Sequence, residues 1–476
     1  MVMILFFAFS ILVSSLIFFF KNKVLSLVLT SLFISSQILL SLYAFFHRGR
    51  YDSAYFTFDA IGIILSFILS VLSIFTLYHS ILYLRRHQFS LKIESLYFAC
   101  LVMLMASMTG AYFANHLAVM WVCIESTTLF VAMLIYHERT KIALEAAWKY
   151  LYVSSIGVTI AFMGLLFLSA VSNSHGIKSL DIRQLQYIAK EINPVYLKIS
   201  FLLLLVGFSA KMGVVPLHTV TVDAHTAAPF PISAFISTTL MNVGFLGIFR
   251  MFTIVSHSSV FSWTNSVLMI VGTTSVILST IQLLRIKHFK RMFAFSSLEH
   301  MGIIALALSL GKPGYYAALL HIVFHSFVKA GLFYQIGQVY SFYKSYWISD
   351  SGNYFKINPL GALVVILGFI SITAMPPSGL FISEFLVFKA LFISRYFVLA
   401  CFILFLSIVI MYVFGRHLFN LLYSEIPGGS KIENTKPDRF EALTQVFLFG
   451  LVIYIGFNPP VFFTHLINSV IFSVIS

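Results

Sequence analysis

The sequence predicts an all-α polytopic membrane protein. Of its 476 residues, 60% are hydrophobic and only 10% are charged, whereas soluble proteins carry about 25% charged residues. The mean hydropathy is +0.96, and apolar runs of about 20 residues, the length that crosses a bilayer, recur along the whole chain. Fourteen spans are expected, near 2–20, 24–46, 58–84, 91–113, 116–136, 148–171, 195–220, 229–254, 262–283, 291–310, 314–341, 357–390, 396–424 and 441–475.

Two segments, the N-terminal apolar run and residues 177–193, could be mistaken for other kinds of element. The first apolar run, "MVMILFFAFSILVSSLIFFF", lacks a basic n-region and a small-residue cleavage site, which predicts a spanning helix rather than a signal peptide. The segment "IKSLDIRQLQYIAKEIN" (177–193) alternates apolar and charged residues at helical spacing. We expect it to lie along the membrane interface.

Basic residues predict the orientation of the chain. The net charge is +14, but the lysines and arginines fall between apolar segments rather than on one arm or face, which argues against nucleic-acid binding. The loops "KNK", "RRHQFSLK", "HERTK" and "RIKHFKR", together with the polar loop 424–439, all follow odd-numbered spans. Because cytoplasmic loops are enriched in lysine and arginine, both termini are expected outside, with "HRGR" after the second span as a minor exception.

The seventh and twelfth spans are interrupted by proline. Pro216 lies in "GFSAKMGVVPLHTV", and Pro376 and Pro377 lie in "ITAMPPSGLFISEF". Paired broken helices at matching places indicate an inverted-repeat transporter with a site near the midplane. We therefore divide the chain into a three-helix segment (1–90), two five-helix repeats (91–254 and 262–424) and a C-terminal helix (441–476).

Glu125 is a carboxylate in the middle of an apolar segment, "WVCIESTTLF". Such a residue costs at least ~2.5–3.5 kcal/mol to insert, so it requires a partner, and Lys211 at the first helix break is the natural one. A static buried ion pair stabilises a fold only weakly. A lysine whose carboxylate partner can move is also a site that binds and releases a proton, and we favour this function.

The second repeat carries a comparable set of titratable groups. Glu384 lies in "LFISEFLVFKALF", and His321, His325 and Lys329 are spaced by four residues in "HIVFHSFVKAGLF", which places them on one helix face. A stripe of this kind suits proton relay because histidine changes charge near neutral pH. The alternative is that some of these groups only hydrogen-bond neighbouring helices.

Other polar groups give weaker signals. In "FSSLEHMG", Glu299 and His300 are each either a channel residue or an interfacial one, and His300 is expected to lie deeper. His218, Asp223 and His225 lie between the seventh and eighth spans; without a fourth ligand they predict proton transfer rather than a metal site. Cys100, Cys123 and Cys401 are far apart and cannot hold an iron–sulfur cluster.

Together these stretches resemble the antiporter-like proton-pumping subunits shared by respiratory complex I, Mrp-type cation/proton antiporters and membrane-bound [NiFe] hydrogenases. The resemblance covers about residues 60 to 420 and is carried by "WVCIESTTLF", "KMGVVPLHTVTVDAHTAAPFPISAF", "FKRMFAFSSLEHMG", "HIVFHSFVKAGLF" and "MPPSGLFISEF". "LEAAWKYL" and "FSSLEHMG" are most similar to hydrogenase-4 component F and its formate hydrogenlyase relatives.

The resemblance implies a role for each charge. Glu125 would pair with Lys211, His300 and His325 would lie on a central polar axis, and Glu384 would be the outlet. Asn242 stands where several relatives carry a lysine, and asparagine cannot carry a proton charge, so Lys329 is a candidate for that position.

The resemblance also implies other membrane subunits and a peripheral redox arm as partners, in a bacterial or archaeal cytoplasmic membrane. No quinone, flavin or nucleotide fingerprint is visible, so no cofactor is expected and any redox chemistry would belong to the partners. Two alternatives stay open at this stage: a cation/proton antiporter in an Mrp-like assembly, and a solute permease. The permease is disfavoured because its pocket would have few buried titratable groups, whereas this chain has several.

Overall fold

The computed structural model describes residues 1–177, 179–425 and 438–475, which are largely helical. The helices of these residues are α1 (Val2–Phe20), α2 (Lys23–Phe46), α3 (Ala60–His87), α4 (Leu91–Phe113), α5 (Leu117–Ile135), α6 (Lys141–Ser174), α7 (Ile182–Ile188), α8 (Pro194–Met212), α9 (Thr219–Ala227), α10 (Phe230–Phe235), α11 (Met241–Val255), α12 (Phe261–Leu283), α13 (Phe289–Ser309), α14 (Lys312–Tyr343), α15 (Tyr354–Ile357), α16 (Pro359–Ile372), α17 (Gly379–Ile393), α18 (Phe397–Tyr423), α19 (Arg439–Phe457) and α20 (Val461–Ile475).

The predicted fold class is confirmed. Within the described residues, 13 helical segments are long and apolar enough to cross a membrane, and the chain is an integral membrane protein. The predicted twelfth span is absent from that number because it is divided into the shorter α16 and α17. Helix α10, a π-helical turn at Ile236–Leu240 and α11 follow one another without a break and form the eighth span.

Both predicted interruptions are present. Helix α8 ends at Met212, where Gly213 takes the left-handed conformation (φ 75°), and α9 begins only at Thr219. Helix α16 ends at Ile372, and α17 begins after Ser378, whose hydroxyl accepts a hydrogen bond from the N–H of Phe381. The prolines lie inside these two gaps, where the missing proline N–H disrupts no helical hydrogen bond.

The C-terminal segment differs from the prediction. A single span was expected over 441–475, but α19 ends at Phe457 and α20 starts at Val461. The intervening Asn458, Pro459 and Pro460 explain the break, since proline cannot continue the helical ladder. Of the expected cytoplasmic loop 424–439, residues 426–437 lie outside the described residues.

The expected amphipathic segment 177–193 contains α7. Ile182, Leu185 and Ile188 are buried, whereas Tyr187 is 84% exposed. This one-sided burial is what an interfacial helix requires. Lys178 lies outside the described residues.

The chain forms two compact units. One comprises Met1–Ile232, Thr239–Ser266 and Leu466–Ser476, and the other comprises Ser233–Thr238 and Val267–His465.

Small residues bring α6 and α8 of the first unit into backbone contact. A Cβ atom at Gly157 would lie 2.9 Å from the carbonyl oxygen of Gly207, and a Cβ at Gly207 would overlap the same part of α6. Glycine at both positions allows the two backbones to approach, as is common between membrane helices. This contact fixes the position of the α6 side chains beside the C-terminal turn of α8.

Candidate functional site

Glu125 lies in the middle of α5 and is half-buried. Its carboxylate accepts two hydroxyl hydrogen bonds. Ser155 on α6 donates to Oε1 at 2.9 Å, and Thr128, one turn later on α5, donates to Oε2 at 3.3 Å. Hydroxyl donors partly replace the water that the carboxylate loses on burial, and among the described residues no cation contacts Glu125 directly.

Lys211 lies in the last turn of α8, two residues before the helix break, and is 1% exposed. Its ammonium donates to the hydroxyls of Thr128 at 2.8 Å, Tyr150 at 3.0 Å and Thr127 at 3.4 Å. It also lies 5.0 Å from the centroid of the Tyr150 ring, within the range of a cation–π interaction. A buried ammonium ion needs such polar neighbours, and three hydroxyls use its three N–H groups.

The Thr128 hydroxyl connects these two groups. It accepts a hydrogen bond from Lys211 and donates one to Glu125, which a hydroxyl can do at the same time. Within the part of the chain that the structure describes, Lys211 and Glu125 form no direct ion pair. The arrangement Lys211–Thr128–Glu125 is therefore a short hydrogen-bonded chain from a buried ammonium ion to a half-buried carboxylate.

Helix α11 closes against the same end of α8. A Cβ atom at Gly244 would overlap the backbone of Lys211 and Met212, so only glycine permits this approach. Asn242, two residues earlier on α11, is fully buried. Asn242, which stands where several relatives carry a lysine, is thus an interior residue of the first unit.

The three residues after Lys211 that are predicted to transfer protons lie on α9 or immediately before it. His218 immediately precedes the helix, Asp223 is half-buried within it, and His225 is 1% exposed. The Nδ1 atom of His225 contacts the carbonyl oxygen of Thr221. The structure places all three in the short segment that follows the first helix break, between α8 and α10.

A second polar cluster lies in the other unit, on α13, α14 and α17. The Nδ1 atom of His300 is 3.0 Å from Nε2 of His321, and Nδ1 of His321 is 2.9 Å from the Ser383 hydroxyl. Since that hydroxyl donates to the Leu380 carbonyl, it accepts from His321. The neutral tautomers that satisfy this order form a directed chain from His300 to Ser383.

Glu384 approaches this chain from α17. One carboxylate oxygen is 3.8 Å from Nδ1 of His300, and Glu384 is 9% exposed whereas His300 is fully buried. Nitrogen and oxygen atoms of His300, His321 and Glu384 lie within 4.8 Å of one another, the one such set of potential metal ligands within the described residues. A set of two histidines and one glutamate can bind zinc. Here one nitrogen of His300 is hydrogen-bonded to one nitrogen of His321, which suits proton sharing.

The predicted stripe on α14 is wholly buried. His321, His325 and Lys329 are each 0% exposed, and the His325 ring lies 5.5 Å from that of His300. The ammonium group of Lys329 donates to the carbonyl oxygen of Phe293 at 2.8 Å. Glu299 is also buried, at 4% exposure, so both it and His300 are interior residues.

Comparison with known proteins assigns the family. The model of the NADH:quinone oxidoreductase/Mrp antiporter transmembrane family matches residues 114–411, a stretch that contains both polar clusters. The chain belongs to this family.

A relative of known name agrees with that assignment, and two solved structures share the fold. The chain is 30% identical over 362 residues to the hydrogenase-4 component F homolog of Methylacidiphilum infernorum (isolate V4), with 75% of each chain covered. Its fold matches a chain of the archaeal membrane-bound sulfane sulfur reductase with a TM-score of 0.87, at 22% identity, over 100% of this chain and 98% of that one. It matches a chain of the Mrp complex from Dietzia sp. DQ12-45-1b with a TM-score of 0.82, at 16% identity, over 99% and 96%.

Sequence reasoning missed the hydroxyl groups of this family member's two clusters. Thr128 contacts both Lys211 and Glu125, and Tyr150, Ser155 and Ser383 each contact one of the predicted titratable residues. The spacing of three residues between Glu125 and Thr128, which places both on one helix face, was the available signal. Contacts of Tyr150 and Ser155 depend on how α6 is rotated, which the sequence does not specify.

Proposed function

We propose that the chain is the proton-translocating membrane subunit of a redox-driven pump of the hydrogenase-4 or complex I type. Membership of the family and the likeness to the hydrogenase-4 component F homolog support this. The observation that carries the proposal is the buried ammonium of Lys211, joined through one hydroxyl to a carboxylate on the half-exposed side of α5. An adjoining subunit has access to Glu125 but not to Lys211.

The proposed mechanism is electrostatic. When an adjoining subunit draws the Glu125 carboxylate away, Lys211 loses the negative charge that favours its protonated state and releases a proton. When the carboxylate returns, Lys211 takes up another. His218, Asp223 and His225, which lie after the first helix break on α9 or immediately before it, are proposed to take part in this exchange.

In the second repeat, we assign the outward half of the route to His300, His321, His325, Lys329 and Glu384. The hydrogen-bonded chain from His300 to Ser383 and the nearby carboxylate of Glu384 support this. A histidine pair can accept and pass on a proton with small rearrangement. Glu384, the one member with some exposure, is the proposed point of release.

We also propose the membrane, the orientation and the partners of the protein. The basic loops indicate a cytoplasmic membrane with both termini outside. The partners would be further membrane subunits and a peripheral redox arm that drives the pump. The two repeats, 91–254 and 262–424, would each contribute one half of the proton route.

The second candidate is cation/proton antiport in an Mrp-like assembly, favoured by the fold match to the Mrp complex. The two functions differ in the ion that balances the proton. In an antiporter, sodium added to vesicles without a redox substrate would move protons; in a redox-driven pump, only the substrate would.

The test is Glu125→Gln in membrane vesicles that carry the assembled complex, with proton uptake followed by a pH-sensitive dye. The amide keeps the shape and removes the charge, so we expect redox-driven uptake to fall to background while the complex still assembles on a native gel. Glu191→Gln, at a glutamate that is 66% exposed, is the matched control and should pump normally. Normal uptake by Glu125→Gln would contradict the proposed relay.

A further inference from the structure

A cavity of about 250 Å³ lies in the first unit, and none of its lining residues belongs to the Lys211–Thr128–Glu125 chain. Its walls come from the loop after α2, the start of α3, α7, the end of α11 and α20. In the proposed orientation this is the outer end of the helices. The cavity is smaller than most sites for whole drug-sized molecules, which are ~300–1,000 Å³.

The walls of the cavity are basic. They include three arginines, Arg48, Arg183 and Arg250, and one acidic residue, Asp59. Arg250 forms a two-pronged ion pair with Asp59, one contact of which is 2.9 Å. Arg48 and Arg183 have no acidic partner within the described residues, and Arg183 stacks over the Tyr51 ring at 4.6 Å. The cavity therefore has an excess of two positive charges.

Two buried donor groups at the cavity lack a partner. Thr57 is 2% exposed and Arg250 is 8% exposed, and among the described residues the Thr57 hydroxyl and the Nε–H of Arg250 have no hydrogen bond. Buried polar groups are nearly always hydrogen-bonded. An oxyanion in the cavity would accept from both donors and balance the excess charge.

The surroundings of the cavity are suited to lipid. On α20, Phe472 is 70% exposed and Ile475 is 42% exposed, on either side of the cavity-lining Ser473. Tyr51, which is 49% exposed, is an aromatic residue of the kind found at membrane interfaces. Acyl chains would lie against the apolar side chains while a phosphate group enters the basic cavity.

We propose that this cavity binds a phosphate group, and that in the membrane the phosphate belongs to the head group of an anionic phospholipid. The contacts would come from Arg48 and Arg183 at the rim and from Thr57 and Arg250 inside. Free phosphate has the same chemistry, and the experiment separates the two sources.

The experiment uses the purified full chain in detergent micelles and native mass spectrometry, with dilauroyl phosphatidylglycerol, dilauroylglycerol and inorganic phosphate as probes. We expect saturable binding of phosphatidylglycerol that Arg48→Gln/Arg183→Gln weakens roughly 30-fold, at about 1 kcal/mol for each arginine. The exposed arginines Arg85 and Arg285 provide the matched control, since Arg85→Gln/Arg285→Gln keeps the same net charge and should bind like the wild type.

A second variant tests whether the phosphate enters the cavity. Thr57→Val removes the buried hydroxyl, so binding should weaken about fivefold, the loss of one net hydrogen bond of about 1 kcal/mol. The same pattern for inorganic phosphate alone would support the phosphate site with a free anion as its ligand. Equal binding by wild type and both cavity variants, or equally variant-sensitive binding of dilauroylglycerol, would overturn the proposal.

Discussion

Replacing Thr128 by valine tests whether the hydroxyl between Lys211 and Glu125 carries the coupling. The substitution keeps the branched shape and removes the hydroxyl group. It eliminates the 2.8 Å hydrogen bond from the Lys211 ammonium and the 3.3 Å bond to Glu125. Lys211 keeps Tyr150 as a close partner, so we expect the chain to fold and assemble.

The size of the effect follows from the lost contact. A hydrogen bond to a charged group is worth about 1.5–3 kcal/mol. If the proton of Lys211 is released through this hydroxyl, losing that stabilisation in the transition state slows transfer roughly 10- to 150-fold. Because Glu125 would still accept from Ser155, the loss should be smaller than for Glu125→Gln.

The neighbouring Thr127 offers a matched control on the same helix. Its hydroxyl lies at 3.4 Å from the Lys211 ammonium and donates to the Ile124 carbonyl, not to Glu125. Proton uptake by vesicles carrying the complex should fall strongly for Thr128→Val, slightly for Thr127→Val, and recover in Thr128→Ser. Uptake in Thr128→Val equal to that of the wild type, with assembly intact, would refute the hydroxyl bridge.

The remaining predictions concern the route through Lys329 and Asn242 and the stability of the first unit. Lys329→Met should stop proton flux in reconstituted vesicles because it removes a site where the proton rests. Asn242→Ala should only slow the flux, because it removes an amide that can bind water, a contact worth ~1–3 kcal/mol. No flux in Asn242→Ala together with normal flux in Lys329→Met would contradict this route. Asp59→Asn leaves the mostly buried Arg250 without its counter-charge and should lower the free energy of unfolding by roughly 2–4 kcal/mol. This loss is smaller than for a fully buried ion pair because the Asp59 side chain is 25% exposed. Unfolding by titration with sodium dodecyl sulfate measures this, and an unchanged curve would count against it.

Features with a local cause were predictable from the sequence. The spans follow from hydrophobic length, and the interruptions at Pro216 and at Pro376 and Pro377 follow from the missing proline N–H. The break at Pro459 and Pro460 has the same signal, although the hydropathy of 441–475 alone predicts one continuous helix. Two adjacent prolines end a helix even inside an apolar run.

Features that depend on helix rotation and packing were not predictable. Glu125 and Lys211 stand out as charges in apolar segments, but serine and threonine are common in such segments, so nothing singled out Ser155. The ion pair between Asp59 and Arg250 joins residues 191 positions apart, and no pattern in one sequence links them. The contact that defines the second cluster, between His300 and His321, likewise required the relative heights of two helices.

The glycine contact between α6 and α8 restricts which parts of the first unit can act as a switch. Because the α6 and α8 backbones are in contact, we expect Tyr150 on α6 and Lys211 on α8 to keep their distance when the unit changes shape. The Trp121 indole on α5 donates to the Val158 carbonyl on α6 at 2.8 Å, one turn before Glu125. We therefore expect α5 to be the element that moves, with a tilt about Trp121 that lengthens or shortens the hydrogen bond from Lys211 to Thr128.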